Sequence, residues 1–308
     1  MPVLYRESVD RYEAAQKKDG RDGKRLSTLS AEFLSMIYGL ASAVSWGAGD
    51  FSGGFATRRA AVYSVIVVSQ LVGGILLLIL ALAFAEAMPP ASDLLVGGFA
   101  GVCGTFGLVA MYSGLAKGRM GVVAPVAAMV TAVLPVTVGI FSEGVPPRQQ
   151  IAGFGLALVA VWFLARDGSN ASVRLKELAL PVAAGIGFGF FFILIDLTTS
   201  TAVVWPLISA RIVSLTTLSV FAIVRRYDLV PARDQFPVIA MAGIFDTGGN
   251  AFFALATHLG RLDIATMLSS LYPAATVLLA WFILKERLVR RQWVGVGAAL
   301  CALVLIAV

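Results

Sequence analysis

One histidine, two cysteines and few charges set the first limits on this chain of 308 residues. Charged residues make up 14% of it, against about 25% in soluble domains, too few to clothe a water-soluble body of this length. His258, alone, cannot assemble a metal site, and no HExxH spacing occurs. Cys103 and Cys301 both lie in apolar runs and read as packing residues, with no redox argument attached. The first 31 residues contain no apolar h-region before a small-residue cleavage site, so no signal peptide is read there. No lysine falls within an apolar run. An integral membrane enzyme built on an acid–histidine cluster or a Ser–Lys pair therefore lacks its parts.

What is abundant is apolar surface. Hydrophobic residues account for 58% of the chain, and the mean hydropathy of +0.86 belongs to a protein whose solvent is mostly lipid. The net charge of +6 resides in the first residues and in short loops, which reads as membrane-surface bias rather than nucleic-acid binding. Residues 1–31 mix charges of both signs with Gly and Ser and are expected to form a polar, disordered tail. Ten apolar stretches follow, near 33–55, 62–85, 93–115, 120–141, 149–165, 178–199, 203–224, 236–258, 263–284 and 291–308. Each can cross a hydrocarbon core of about 30 Å at about 1.5 Å per residue. They are long, rich in Ala, Leu and Gly, and lack period-2 alternation, so they are helices rather than barrel strands.

The chain also repeats itself. Gly101–Arg119 matches Gly243–Arg261 at an offset of 142 residues, with Gly101/Gly243, Thr105/Thr247, Gly107/Gly249, Gly118/Gly260 and Arg119/Arg261 identical. The same offset carries Gly47 onto Gly189, Gly153 onto Gly295 and Gly155 onto Gly297. A period this long is a duplication rather than a repeat array. Ten helices then divide into five and five, and because five is odd the second unit enters the membrane from the opposite side. The expected fold is an all-α integral membrane protein, ten transmembrane helices as two inverted five-helix repeats, spanning 32–166 and 177–308. Odd-numbered loops carry most of the loop Lys and Arg, while even-numbered loops hold only Arg148 and Arg261. The loops thus put both termini outside, and the seven Lys/Arg of the tail pull the other way.

Trp46-Gly47 lies inside the first span, Glu143 follows the fourth, and Glu286 follows the ninth; each Glu is trailed by a Gln and then by the Gly of the next helix, Gln150 to Gly153 and Gln292 to Gly295. With the duplication, these placements resemble the EamA-type transporters of the drug/metabolite transporter superfamily over about residues 35–308. The first copy departs by one extra residue in its Glu-to-Gly loop, at Pro146-Pro147. The resemblance implies a multi-pass protein of the inner or plasma membrane that moves small metabolites or drugs, often amino-acid-like, usually as export. The inverted halves add the expectation of a secondary active transporter with alternating access, proton-coupled through a buried acid or, as the alternative, an uncoupled exchanger, and not an enzyme.

Charges inside spans cost about 2.5–3.5 kcal/mol each on insertion scales, so Asp50, Asp196, Arg211 and Asp246 each demand a reason. Asp246 lies eleven residues into its helix, about 15 Å deep, with Asn250 one turn on along the same face. Arg211 stands about 12 Å in from the other surface, a depth that allows an Arg211–Asp246 pair, either structural or lining a substrate cavity. Asp50 follows Trp46 by one turn among Gly47, Gly49, Gly53 and Gly54. It is a candidate to carry a proton, or else an interfacial partner of Arg58 and Arg59. Pro125 and Pro135 are expected to interrupt the fourth span and Pro273 the ninth, where Tyr272 becomes a cavity candidate. The expected substrate and coupling-ion set is Asp50, Trp46, Arg211, Asp246, Asn250 and Tyr272. Tyr112 and Trp205 are expected as interface anchors, Asp196 and His258 as interfacial residues, and Glu143 as a local partner of Arg148. Gly185, Gly187 and Gly189 read as close helix packing, not a dinucleotide loop. Expected partners are a small-molecule substrate, the bilayer, protons and a second copy of the chain, with no nucleic acid; no cofactor and no metal is expected.

Overall fold

The structure is a computed structural model that describes residues 31–117, 120–164, 175–227, 229–283, 285 and 288–307. The expected tail (all but its last residue), Gly118, Arg119 and Glu286 lie outside the described residues. The described chain is helical almost throughout: α1 (31–56), α2 (Val62–Ala83), α3 (Ala91–Lys117), α4 (Met120–Glu143), α5 (Arg148–Leu164), α6 (Leu175–Asp196), α7 (Val204–Val224), α8 (Phe236–Leu259), α9 (Leu262–Ser269), α10 (Tyr272–Ile283) and α11 (Arg290–Ala307), with a single 3-10 turn at Arg233–Gln235 before α8. Among the described residues, seven segments are long and apolar enough to cross a membrane, Leu262–Ile283 counted as one of them.

The faces of α2 show which solvent the bundle expects. Leu71, Ile75, Leu78, Ile79 and Leu82 recur at helical spacing and are all exposed. The buried residues are mostly small or polar, Ser64, Ser69, Gln70, Gly73 and Ala81, with Val65, Ile66 and Leu77 the larger apolar ones among them. Large apolar groups outside and small or polar ones inside is the arrangement lipid favours, because tails are as apolar as leucine and helices gain by close packing instead.

Of the interruptions expected at proline, the ninth span has its break and the fourth does not. The ninth span is not one helix: α9 stops at Ser269, Ser270 and Leu271 turn, and α10 restarts at Tyr272. Pro273 has no N–H to give and its ring clashes with the preceding turn, so the helix restarts with proline in its first turn, where neither matters. By contrast α4 runs unbroken through Pro125 and Pro135.

Glycines of the repeat set the helix crossings. A Cβ on Gly101 would overlap the Ala210 backbone, bringing α3 against α7; one on Gly243 would overlap the Ser69 backbone, bringing α8 against α2. Gly107 lies under the ring of Phe188, and its mate Gly249 lies under the ring of Trp46. Phe188 is the residue that the 142 offset lays on Trp46.

One end of the bundle is held by a chain of polar contacts. After α2, the carboxylate of Glu86 accepts from the backbone N–H of Val203 (2.8 Å), Val204 (2.9 Å) and Trp205 (3.0 Å), the unsatisfied donors at the start of α7. Thr201 in the same loop donates to Asp93 of α3, and Thr199 O lies 2.5 Å from His258 Nδ1 at the end of α8. Two residues past α8, Arg261 donates to the carbonyls of Glu143 (3.0 Å) and Gly144 (2.6 Å) and to Asp263 Oδ2 (2.8 Å). The hydrogen bond to Asp263 in particular holds the Arg261 guanidinium above its ordinary pKa. Glu143 thus pairs with Arg261, at 3.6 Å, across the α8–α9 turn, and not with Arg148 as expected. The geometry is decided by which helix ends meet, not by distance along the loop. At the opposite end Tyr63 of α2 stacks on Tyr227, with ring centroids 4.5 Å apart.

Candidate functional site

The cavity of the bundle is lined from both halves of the chain. Trp46 and Asp50 come from α1, Gln70 from α2, Gly101, Thr105 and Leu108 from α3, Thr131 from α4, Phe188, Phe191 and Phe192 from α6, Arg211 and Ser214 from α7, Asp246 and Asn250 from α8, and Tyr272 from the start of α10. Its volume is about 80 Å³. All six residues expected as a substrate and ion set face this one space.

Arg211 is 6% exposed and is the centre of the polar side. Its Nη2 donates to Asp246 Oδ2 at 2.5 Å and to Thr247 Oγ1 at 3.1 Å, and its Nη1 donates to Gln70 Oε1. A buried guanidinium is tolerable when it is paired and hydrogen-bonded, and here α7 reaches both α2 and α8 to meet three of the five N–H groups. Asn250, one turn beyond Asp246, donates to the same Oδ2 at 3.4 Å. Thr105, the repeat mate of Thr247, donates to Gly101 O at 2.7 Å and lies 2.5 Å from Ser214 Oγ on α7.

Asp50 is partly buried, and among the described residues it forms no ion pair. Arg58 and Arg59, its alternative partners in the sequence reading, are exposed, and Arg59 lies over the Phe55 ring instead, 5.5 Å from its centroid. What brings Asp50 to the site is Gly49, whose missing Cβ lets α1 approach the backbone of Asp246 on α8. Gly53 one turn on is covered by the hydroxyl of Tyr112. Tyr112 is 2% exposed, so it is a core residue and not the interface anchor expected for it. Trp205, in contrast, stands at the start of α7 and donates from Nε1 to Glu86 O at 2.9 Å.

The apolar side is aromatic. The Trp46 ring stacks on Phe192, centroids 5.0 Å apart and planes 8° apart, and Phe192 stacks in turn on Phe253 at 4.2 Å. Such stacks add about 0.5–1.5 kcal/mol beyond area burial and make a rigid wall. Sequence reasoning missed Gln70, Thr131, Ser214 and the phenylalanines. A lone amide in an apolar helix was the available signal for Gln70; the phenylalanines gave none, since nothing distinguishes a cavity ring from a core ring. Among the described residues no group of three or more His, Cys, Asp or Glu could hold a metal ion.

A model of the EamA-like transporter family matches residues 33–166 and again residues 175–308. The chain belongs to this family. The two matches leave out little beyond the first 32 residues, and they place the EamA-family protein among the transporters of the drug/metabolite superfamily, not among enzymes. It is a multi-pass membrane protein, consistent with the inner or plasma membrane. No curated relative matches it. Of 29 matching chains among solved structures, one crystal structure aligns at a TM-score of 0.70, covering 88% of this chain and 95% of its own at 15% identity. An identity that low speaks for the fold alone.

Proposed function

We propose that this EamA-family protein is a secondary active transporter of a small metabolite or drug, working by alternating access around the central cavity, with 32–166 and 177–308 as inverted halves. The observation that carries the reading is the Arg211–Asp246 pair. It is a part-buried ion pair at 2.5 Å, its Arg211 buried and its Asp246 partly exposed, that faces open space and has Trp46, Asp50, Asn250 and Tyr272 around it. A pair serving packing alone has no need of a cavity beside it. The crossed packing of the halves, α3 on α7 and α2 on α8, and the repeat-related contacts Gly107–Phe188 and Gly249–Trp46 support two related units meeting at the site. The break between α9 and α10 beside Tyr272 is a further feature of transporter cavities, since an interrupted helix frees backbone groups for a ligand.

In this reading Asp246 and Arg211 bind and gate, Trp46, Asn250 and Tyr272 shape the pocket, and Asp50 carries the coupling proton. Facing Asp50 are Asp246, Arg211 and the hydroxyls of Tyr112 and Tyr272. The test is flux in proteoliposomes of a solute identified by thermal stabilisation of the purified protein. An imposed proton gradient should accelerate it, and Asp246→Asn should abolish or uncouple it. Flux indifferent to the gradient makes the protein an uncoupled exchanger. Flux by Asp246→Asn with unchanged pH dependence removes Asp246 from the site.

A further inference from the structure

The cavity's unmet groups describe its occupant. Among the described residues its charged side chains are Asp50, Asp246 and Arg211, whose formal charges sum to minus one. Arg211 and Asp246 answer each other, and Arg211 also donates to Gln70 and Thr247. Asn250 turns its amide donor to Asp246 as well. An incoming carboxylate would therefore have to compete with Asp246 for the guanidinium, and would meet Asp50.

Two groups are left over. One is the Asp50 carboxylate, without an ion pair among the described residues. The other is the hydroxyl of Thr131, which lines the cavity, is 1% exposed, and has no hydrogen-bond partner there. Threonines within helices usually satisfy themselves on the carbonyl a turn back, as Thr105 and Thr276 do here; Thr131 does not. A buried polar atom without a partner costs free energy unless something fills the space beside it. Beside these groups stands the Trp46–Phe192 stack, a flat face that attracts cations as well as apolar rings.

We infer that the solute this cavity takes is an organic amine: a protonated amino head at Asp50, a flat apolar body along Trp46 and Phe192, and no carboxylate. The inference rests on the reading of the cavity as the transport site and narrows its substrate class, against the amino-acid-like solutes that the family resemblance implies. The Thr131 hydroxyl supplies a second polar contact and separates polar-substituted amines from plain ones.

The experiment compares three probes of one shape and different charge, 2-phenylethylamine, 2-phenylethanol and phenylacetate, by calorimetric binding to the purified full chain. The amine should bind at least about tenfold more tightly than either of the others, the advantage of a charged hydrogen bond over a neutral one. In Asp50→Asn that advantage should vanish while 2-phenylethanol binds as before. Equal or tighter binding of phenylacetate, or no binding by any of the three, overturns the amine assignment, and the wild-type comparison stands even if the variant does not fold. Trp46→Ala separates the two levels. If the amine is not preferred and the variant still weakens whichever probe binds, the cavity remains the site and only the substrate class is wrong; if it leaves a bound probe unaffected, the site itself is wrong.

Discussion

Gly249 lies directly under the indole of Trp46, in the space that any Cβ would occupy. That contact seats α1 on α8 and points Trp46 along the cavity toward Phe192. Gly249→Ala should push the ring out of its stack, an overpacking cost of about 1–3 kcal/mol, read as a lower unfolding midpoint in detergent. Gly107→Ala, which meets Phe188, should behave alike. Gly155 and Gly297, also repeat mates, have open space where a methyl would stand, with nothing within 4 Å of it. Alanine at either of them should leave the midpoint unchanged or raise it, since glycine in a helix costs about 1 kcal/mol relative to alanine.

Removing one partner of Arg211–Asp246 should hurt more than removing both. Arg211→Leu or Asp246→Leu alone strands a charge in the bundle, about 3–5 kcal/mol in buried pairs. The double variant should lie well above the sum of the two. A double-mutant cycle on unfolding midpoints measures this, and additive losses would mean that the two side chains do not depend on each other.

Asp50 should govern coupling more than stability. It has no ion pair among the described residues to lose, so Asp50→Asn is expected to fold and to unfold within about 0.5 kcal/mol of the parent. Its flux should no longer respond to an imposed pH gradient in proteoliposomes. A preserved response would move the coupling proton to Asp246.

Glu86 closes the start of α7 from a different loop. Glu86→Ala frees the amides of Val203, Val204 and Trp205 together. Loss of a cap typically costs about 0.5–2 kcal/mol, and hydrogen exchange at those three amides should accelerate while the middle of α7 stays protected.

Composition, run length and the 142-residue offset determined much by themselves: a helical membrane protein, its duplicated plan, and the acids and arginine that need a reason to be there. These were legible because lipid imposes a simple rule, that every spanning backbone be internally bonded and every buried charge be answered. Depth counting along α7 and α8 brought Arg211 and Asp246 to compatible levels for the same reason, a fixed rise per residue. Rotation and crossing are not written in that rise. Only the tertiary structure decided that Gly49 would carry Asp50 to Asp246 and away from Arg58 and Arg59, that Glu143 would meet Arg261 rather than Arg148, that Tyr112 would be buried, and that Gln70, Thr131 and Phe192 would share a cavity with Asp50 and Asp246. Those outcomes depend on which faces of different helices come into contact, a many-body packing property that no single stretch of chain contains.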